Sequence, residues 1–282
     1  MAVEAFLADR LFGMRLAGTI LADCLKRRVL SVVVAMMISM PVVAATPMGA
    51  QAAVGTAGAP SDSAHYRRCL ADSGANPAAA LADAEGWIKS GGGVPAEHCA
   101  ALALITLKRY AEAAARLDRI AGGQATLNAE FRVALFDQAG NAWLLAGDGA
   151  RAVQSFSGAL ALSAGDADLF ADLARAQAMR RDWHEVDLDL NAALQLSPRR
   201  ADLLVLRASA RRALKRYEDS RADIEAALKL KPGDGSALVE RGLLRRQLGD
   251  IGGARRDFEA ALKTGSGNVA AEARTNLEEL TP

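Results

Sequence analysis

Between Ala201 and Asp234 the apolar residues fall at helical spacing in two short runs, parted by a turn at Lys215-Arg216 and stopped at Pro232. This spacing predicts two amphipathic helices folded back on each other. A shift of 34 residues reproduces the pattern. Ala208 maps to Gly242 in one direction and to Ala174 and Gly140 in the other. Ile224 maps to Phe258, Leu190 and Phe156, and Ala227 maps to Ala261, Ala193 and Ala159. Units therefore occupy residues 133–166, 167–200, 201–234 and 235–267, with turns at Gly147-Asp148, Arg181-Asp182, Lys215-Arg216 and Gly249-Asp250. A fixed period of this length marks a solenoid, in which no hairpin buries its apolar face without its neighbours. The fold class expected is all-α, a helical-repeat solenoid of antiparallel helix pairs.

The flanks carry weaker versions of the same design. Residues 61–93 read as a degenerate hairpin, Ser61–Ser73 followed by Asn76–Lys89. Asn76-Pro77 is a helix start and Gly91-Gly92-Gly93 a break. Residues 94–132 read as a further repeat plus an insert. Ala101, Leu104 and Leu107 on its first helix face Tyr110, Ala113, Leu117 and Ile120 on its second, and residues 124–132 lengthen the next first helix. Residues 268–282 supply a capping helix, Asn268 to Leu280.

With positions counted from each unit's first residue, the unit 167–200 has Phe170 at 4, Leu173 at 7, Ala174 at 8, Trp183 at 17, Leu190 at 24, Ala193 at 27 and Pro198 at 32. The unit 201–234 has Leu204, Ala208, Tyr217, Ile224, Ala227 and Pro232 at matching places. This pattern resembles the tetratricopeptide repeat family over roughly Val94 to Gly267. The resemblance implies a right-handed solenoid whose inner face holds a peptide or protein partner, with no catalysis. It places on that face Asp137, Asn141, Leu144, Asp168, Arg175, Met179, Asp202, Val205, Ser209, Arg212, Val239, Leu243, Arg246 and Gln247. The basic clamp by which some relatives hold a chaperone's C-terminal carboxylate wants Lys at 5 and Asn at 9. Here Asn141 sits above Asp137, which disfavours such a ligand. The chain also departs from the family with Arg207 and Arg241 at position 7, Arg211 and Arg245 at 11, and Asp189, Asp223 and Asp257 at 23. Opposite signs at these places predict ion pairs along the hairpin seam. The alternative is an arginine patch, centred on Arg212 and Arg246, for an anionic partner.

Composition narrows the function classes. Hydrophobic residues make up 51% of the 282, and the formal net charge is +1, which argues against disorder and against nucleic-acid binding. Catalytic arrangements are not evident. His184 follows Trp183 at a helix start, Gly91-Gly92-Gly93 lacks the context of a phosphate loop, and Asp187 and Asp189 stand two apart on a helix and so diverge. No enzyme, cofactor or metal is expected.

The N-terminus reads as a targeting segment. Lys26-Arg27-Arg28 precedes the apolar run Val29–Ala45, and small residues at Ala50-Gln51-Ala52 offer a cleavage site. Residues 1–52 are thus an export signal, or an uncleaved anchor whose run is short for a bilayer and broken by Pro41. Residues 53–60 form a linker. The expected location is the periplasm, with inner-membrane anchoring as the alternative. Cleavage would remove Cys24 and leave Cys69 and Cys99, a pair that an oxidising compartment would join as a disulfide. Zinc held by these cysteines with His65 and His98 is disfavoured, because adjacent residues such as His98 and Cys99 diverge by about a hundred degrees on a helix. Three roles fit: an interaction scaffold in the cell envelope, a membrane-anchored adaptor or assembly factor in envelope or cytochrome biogenesis, and a self-assembling structural subunit.

Overall fold

The computed structural model describes residues 60–123, 126–265 and 267–280. The export segment and nearly all of the linker lie outside the described residues. Within them the chain is a series of helices: α1 Pro60–Ala75, α2 Pro77–Lys89, α3 Gly93–Thr106, α4 Tyr110–Gly123, α5 Ala129–Ala146, α6 Gly149–Leu162 and α7 Ala167–Met179. It continues with α8 Trp183–Leu196, α9 Ala201–Ala213, α10 Tyr217–Leu230, α11 Gly235–Gln247, α12 Ile251–Thr264 and α13 Asn268–Glu279. Each helix packs on the next, and strands are absent among the described residues. The result is an all-α helical-repeat solenoid.

The first helix α5 has 18 residues where α7, α9 and α11 have 13, and Asn128 caps it by accepting from the Phe131 amide. Asn76 precedes the proline that opens α2 yet makes no side-chain cap. α3 begins at Gly93, one residue inside the glycine break.

The turn between paired helices is the same in the five units from residue 94 onward. Lys108, Gly147, Arg181, Lys215 and Gly249 all stand at position 15 with φ between 61° and 86°. A left-handed residue just past a helix end closes the last turn, a role usually given to glycine. Three units fill it with lysine or arginine, and the recurrence of a disfavoured conformation shows how strongly the hairpin geometry dictates it.

Tight contact across each hairpin comes from position 8 facing position 24. A Cβ on Gly140 would lie 2.6 Å from the Phe156 ring, and one on Gly242 would lie 2.5 Å from the Phe258 ring. Where position 8 is alanine, as at Ala174 and Ala208, position 24 is the smaller Leu190 or Ile224. All four large partners are essentially fully buried. Small with large, or medium with medium: each hairpin fills the same volume in one of two ways.

This complementarity predicts a compensating pair. Gly242→Ala alone is expected to cost about 1–3 kcal/mol through overpacking. Adding Phe258→Leu recreates the Ala–Leu pairing of the unit 167–200, so the double variant should cost less than the sum of the two single changes. Chemical denaturation of the four proteins measures the coupling, and strict additivity would refute the pairing.

Candidate functional site

The first helices of the hairpins also touch one another along the array: α1 with α3, α5 with α7, α9 with α11 and α11 with α13. They form one wall of the solenoid, and the partner-facing residues expected from the sequence stand on it. Val205, Ser209, Leu144, Met179 and Leu243 are partly exposed there, whereas Val239, Asp137 and Asn141 are buried. Asn141 donates to both the backbone carbonyl and the carboxylate of Asp137, at 2.9 and 3.0 Å.

The charged members of this wall are paired. Arg175 bonds Asp172 one helical turn away. Arg200 reaches Asp168 at 3.0 Å and Asp202 at 2.7 Å, tying α7 to α9. Arg212 Nε donates to Glu240 at 2.5 Å, tying α9 to α11. Arg246 donates to Glu279 at 2.5 Å, tying α11 to α13, and Gln247 donates to the Tyr217 hydroxyl at 3.0 Å. The arginine patch considered from the sequence therefore does not stand open. Both Arg212 and Arg246 are engaged by glutamates of the following first helix. Burial raises the Glu272 carboxyl above its ordinary range, the Glu240 charge adds to the rise, and Arg212 opposes it.

Behind this wall runs the seam of position 7, 11 and 23 residues. Arg207 forks onto Asp223 at 2.6 and 2.9 Å, and Arg211 joins the same carboxylate at 2.9 Å. Arg241 and Arg245 repeat the arrangement on Asp257. The seam also crosses units: Arg211 reaches back to Asp187, and Arg207 to Asn191. In the unit 133–166 the charges are replaced by Trp143 and Ser155, which both donate to Asp118 at 2.7 Å.

One unit breaks the rule. Asp189 has the place of Asp223 and Asp257, but Leu173 and Gln177 stand where arginines would hold it. Its hydrogen-bonding neighbour is the Gln177 amide, and Asp189 Oδ2 and Gln177 Oε1 are buried without a hydrogen-bond partner. Burial pushes the Asp189 carboxyl up to about 6.

At the N-terminal end, a polar relay crosses three first helices. The Tyr66 hydroxyl donates to His98 Nδ1 at 2.5 Å, and His98 Nε2 donates to Gln138 Oε1 at 2.9 Å. That pattern requires neutral imidazole, and burial lowers the His98 pKa accordingly. His65 turns instead to Asp83 and stacks on Trp87. Cys69 and Cys99 are buried with their Cα atoms 6.1 Å apart and their sulfurs in contact. His184 is exposed at the start of α8. Sequence reasoning missed Glu240, Glu272 and Glu279. Glu240 stands at position 6, outside the repeat motif, and α13 starts one residue short of the 34 spacing.

Comparison with known proteins agrees with the architecture. Residues 201–234 match the family model described as tetratricopeptide repeat. Solved structures similar to the chain include that of MamA, at 18% identity over 58% of this chain and 93% of that one, with a TM-score of 0.50. Another is TTC0263, a thermophilic TPR protein in Thermus thermophilus, at 16% identity over 65% and 96%, TM-score 0.51. A third is YrrB, described as a TPR protein with an unusual peptide-binding site, at 15% identity over 68% and 97%, TM-score 0.50. At these identities the likeness is one of fold. No curated protein matches the chain in sequence. Ala201–Asp234 is a tetratricopeptide repeat, and the array around it has the tetratricopeptide-repeat fold.

The unclasped aspartate yields a pH-dependent prediction. A carboxyl raised to about 6 holds its proton more tightly folded than unfolded, so its contribution is present at acid pH and is lost as pH rises through 6. Gln177→Arg supplies the missing cation at position 11. It should stabilise the protein by about 1 kcal/mol at pH 7.5 and by less at pH 4.5. Thermal denaturation at the two pH values tests this, and a gain that is absent or larger in acid would contradict it.

Proposed function

We propose that the protein is a non-catalytic interaction scaffold that holds a peptide or protein partner against the wall of first helices, and that it works in the cell envelope after export. The observation that carries the first part is that wall itself. It joins partly exposed apolar side chains, Leu144, Met179, Val205 and Leu243, to a ladder of hydrogen-bonding groups fixed on neighbouring helices. Such a surface offers apolar anchors and polar register marks to an extended chain or a helix. The fold it shares with YrrB, itself described as having a peptide-binding site, supports the reading. The buried His98 serves the Tyr66–Gln138 relay and is not open to a substrate.

Export rests on the basic stub and apolar run at the N-terminus, and on the meeting of Cys69 with Cys99. Joined as a disulfide across a sequence separation of 30 residues, they would stabilise the end hairpins by about 3–4 kcal/mol on the chain-entropy model. An uncleaved N-terminal run would make the same array a membrane-anchored adaptor, a reading that fractionation separates from a soluble scaffold.

A photo-crosslinking amino acid at Ser209 or Leu243, on the wall, is expected to capture a partner in cells. The same probe at Glu225 or Arg256, exposed on second helices, is not. Adducts from the second helices alone would reject the assignment. For the cysteines, mass spectrometry of alkylated, unreduced protein should show Cys69 and Cys99 unmodified, and two alkylated thiols would disprove the bridge.

A further inference from the structure

Two units show how a position 23 aspartate is satisfied. Arg207 forks onto Asp223 at 2.6 and 2.9 Å and gives a further N–H to the Asn191 side-chain oxygen at 2.7 Å. Arg211 and Arg245, both at position 11, reach Asp223 and Asp257 at 2.9 and 2.7 Å. At Arg207 the acceptors that hold the guanidinium are a carboxylate and a side-chain amide oxygen. The unit 167–200 keeps acceptors of these two kinds and lacks the arginines. Asp189 is at position 23 and Gln177 at position 11, the places that meet in the units 201–234 and 235–267. Gln177 is only 8% exposed, and its Oε1 and Asp189 Oδ2 are buried without a hydrogen-bond partner. Acceptors left without a donor out of water are costly. Glu185, one turn earlier on α8, adds negative charge to the same place.

We infer that Asp189 and Gln177 form a seat for a guanidinium group supplied from outside the chain. The group forks onto the Asp189 carboxylate and donates to the Gln177 side-chain oxygen, as Arg207 does with Asp223 and Asn191. Its planar set of N–H donors serves both acceptors at once, which a single ammonium does less well. The two oxygens are covered while Asp189 as a whole is partly exposed, so the guanidinium reaches them by a turn of the two side chains. The seat lies in the seam behind the wall, and its use does not depend on what the wall holds.

The test uses the protein as purified from cells, with aspartate labelled by carbon-13 at the side-chain carboxyl. The Asp189 resonance is identified by its loss in Asp189→Asn and followed by NMR at a pH of about 7.5, where the carboxyl is ionised. A short peptide with one arginine among glycines should move it, with half-saturation at about 1–10 mM. The lysine counterpart should need at least about fivefold more. The citrulline counterpart, which has the shape without the charge, should leave it still. The Asp223 resonance, already clasped, should not respond to any of them. In Gln177→Arg an internal guanidinium takes the seat, so the response of Asp189 to the arginine peptide should vanish. Methylguanidinium is the remaining probe: weaker binding than the arginine peptide identifies an arginine of a polypeptide as the source, and equal or tighter binding identifies a free guanidino compound. No movement of Asp189 up to about 50 mM peptide overturns the seat and leaves solvent as the donor to the two oxygens. Equal movement with the lysine or citrulline peptide, or an unchanged response in Gln177→Arg, overturns it as well.

Discussion

The distance of closest approach between the two helices of a hairpin governs everything else in this molecule. It is set where position 8 meets position 24, and the structure solves that contact with glycine against phenylalanine or alanine against leucine or isoleucine. In both solutions the larger partner is essentially fully buried, so units of different composition fill the contact equally. Dense packing makes such a contact intolerant of an added methyl group. The repeated left-handed residue at position 15 serves the same end, fixing how each second helix turns back on its first.

Charge does a different job on each side of this apolar spine. In the seam, arginines at positions 7 and 11 and the aspartates Asp223 and Asp257 at 23 are clasped with several hydrogen bonds apiece, largely out of water. On the wall the links made by Arg200 and Arg246 are more exposed, whereas Arg212–Glu240 is as buried as the seam, and all three join successive first helices. Removing one partner from the seam would strand a buried charge, whereas the exposed links contribute modestly.

Much of this was legible in the sequence because the period is exact from Val133 onward. Helix pairs, turn positions, the small residues at position 8 and the opposite charges at 7, 11 and 23 could all be read by superposing units. What escaped depends on contacts between units that the motif does not encode. Glu240 reaches Arg212 from a position outside the motif, and Glu279 reaches Arg246 from α13, which starts one residue short of the 34 spacing. The relay from Tyr66 through His98 to Gln138 links residues 32 and 40 apart in a region where the period is broken. The isolation of Asp189 was visible as Leu173 and Gln177 in place of arginines, but its meaning needed the clasped neighbours for comparison.

The match between positions 8 and 24 is closed within each hairpin, since both residues belong to one unit. A duplication of any 34-residue unit would carry its own lock and key, and its neighbours would meet a surface of unchanged shape. Other bonds do cross between units, among them Arg207 to Asn191, Arg211 to Asp187, Arg212 to Glu240 and Gln247 to Tyr217, and these need a suitable recipient on the neighbour. The fit inside a hairpin is thus indifferent to how many repeats stand beside it, while the charged links tie each repeat to a particular neighbour.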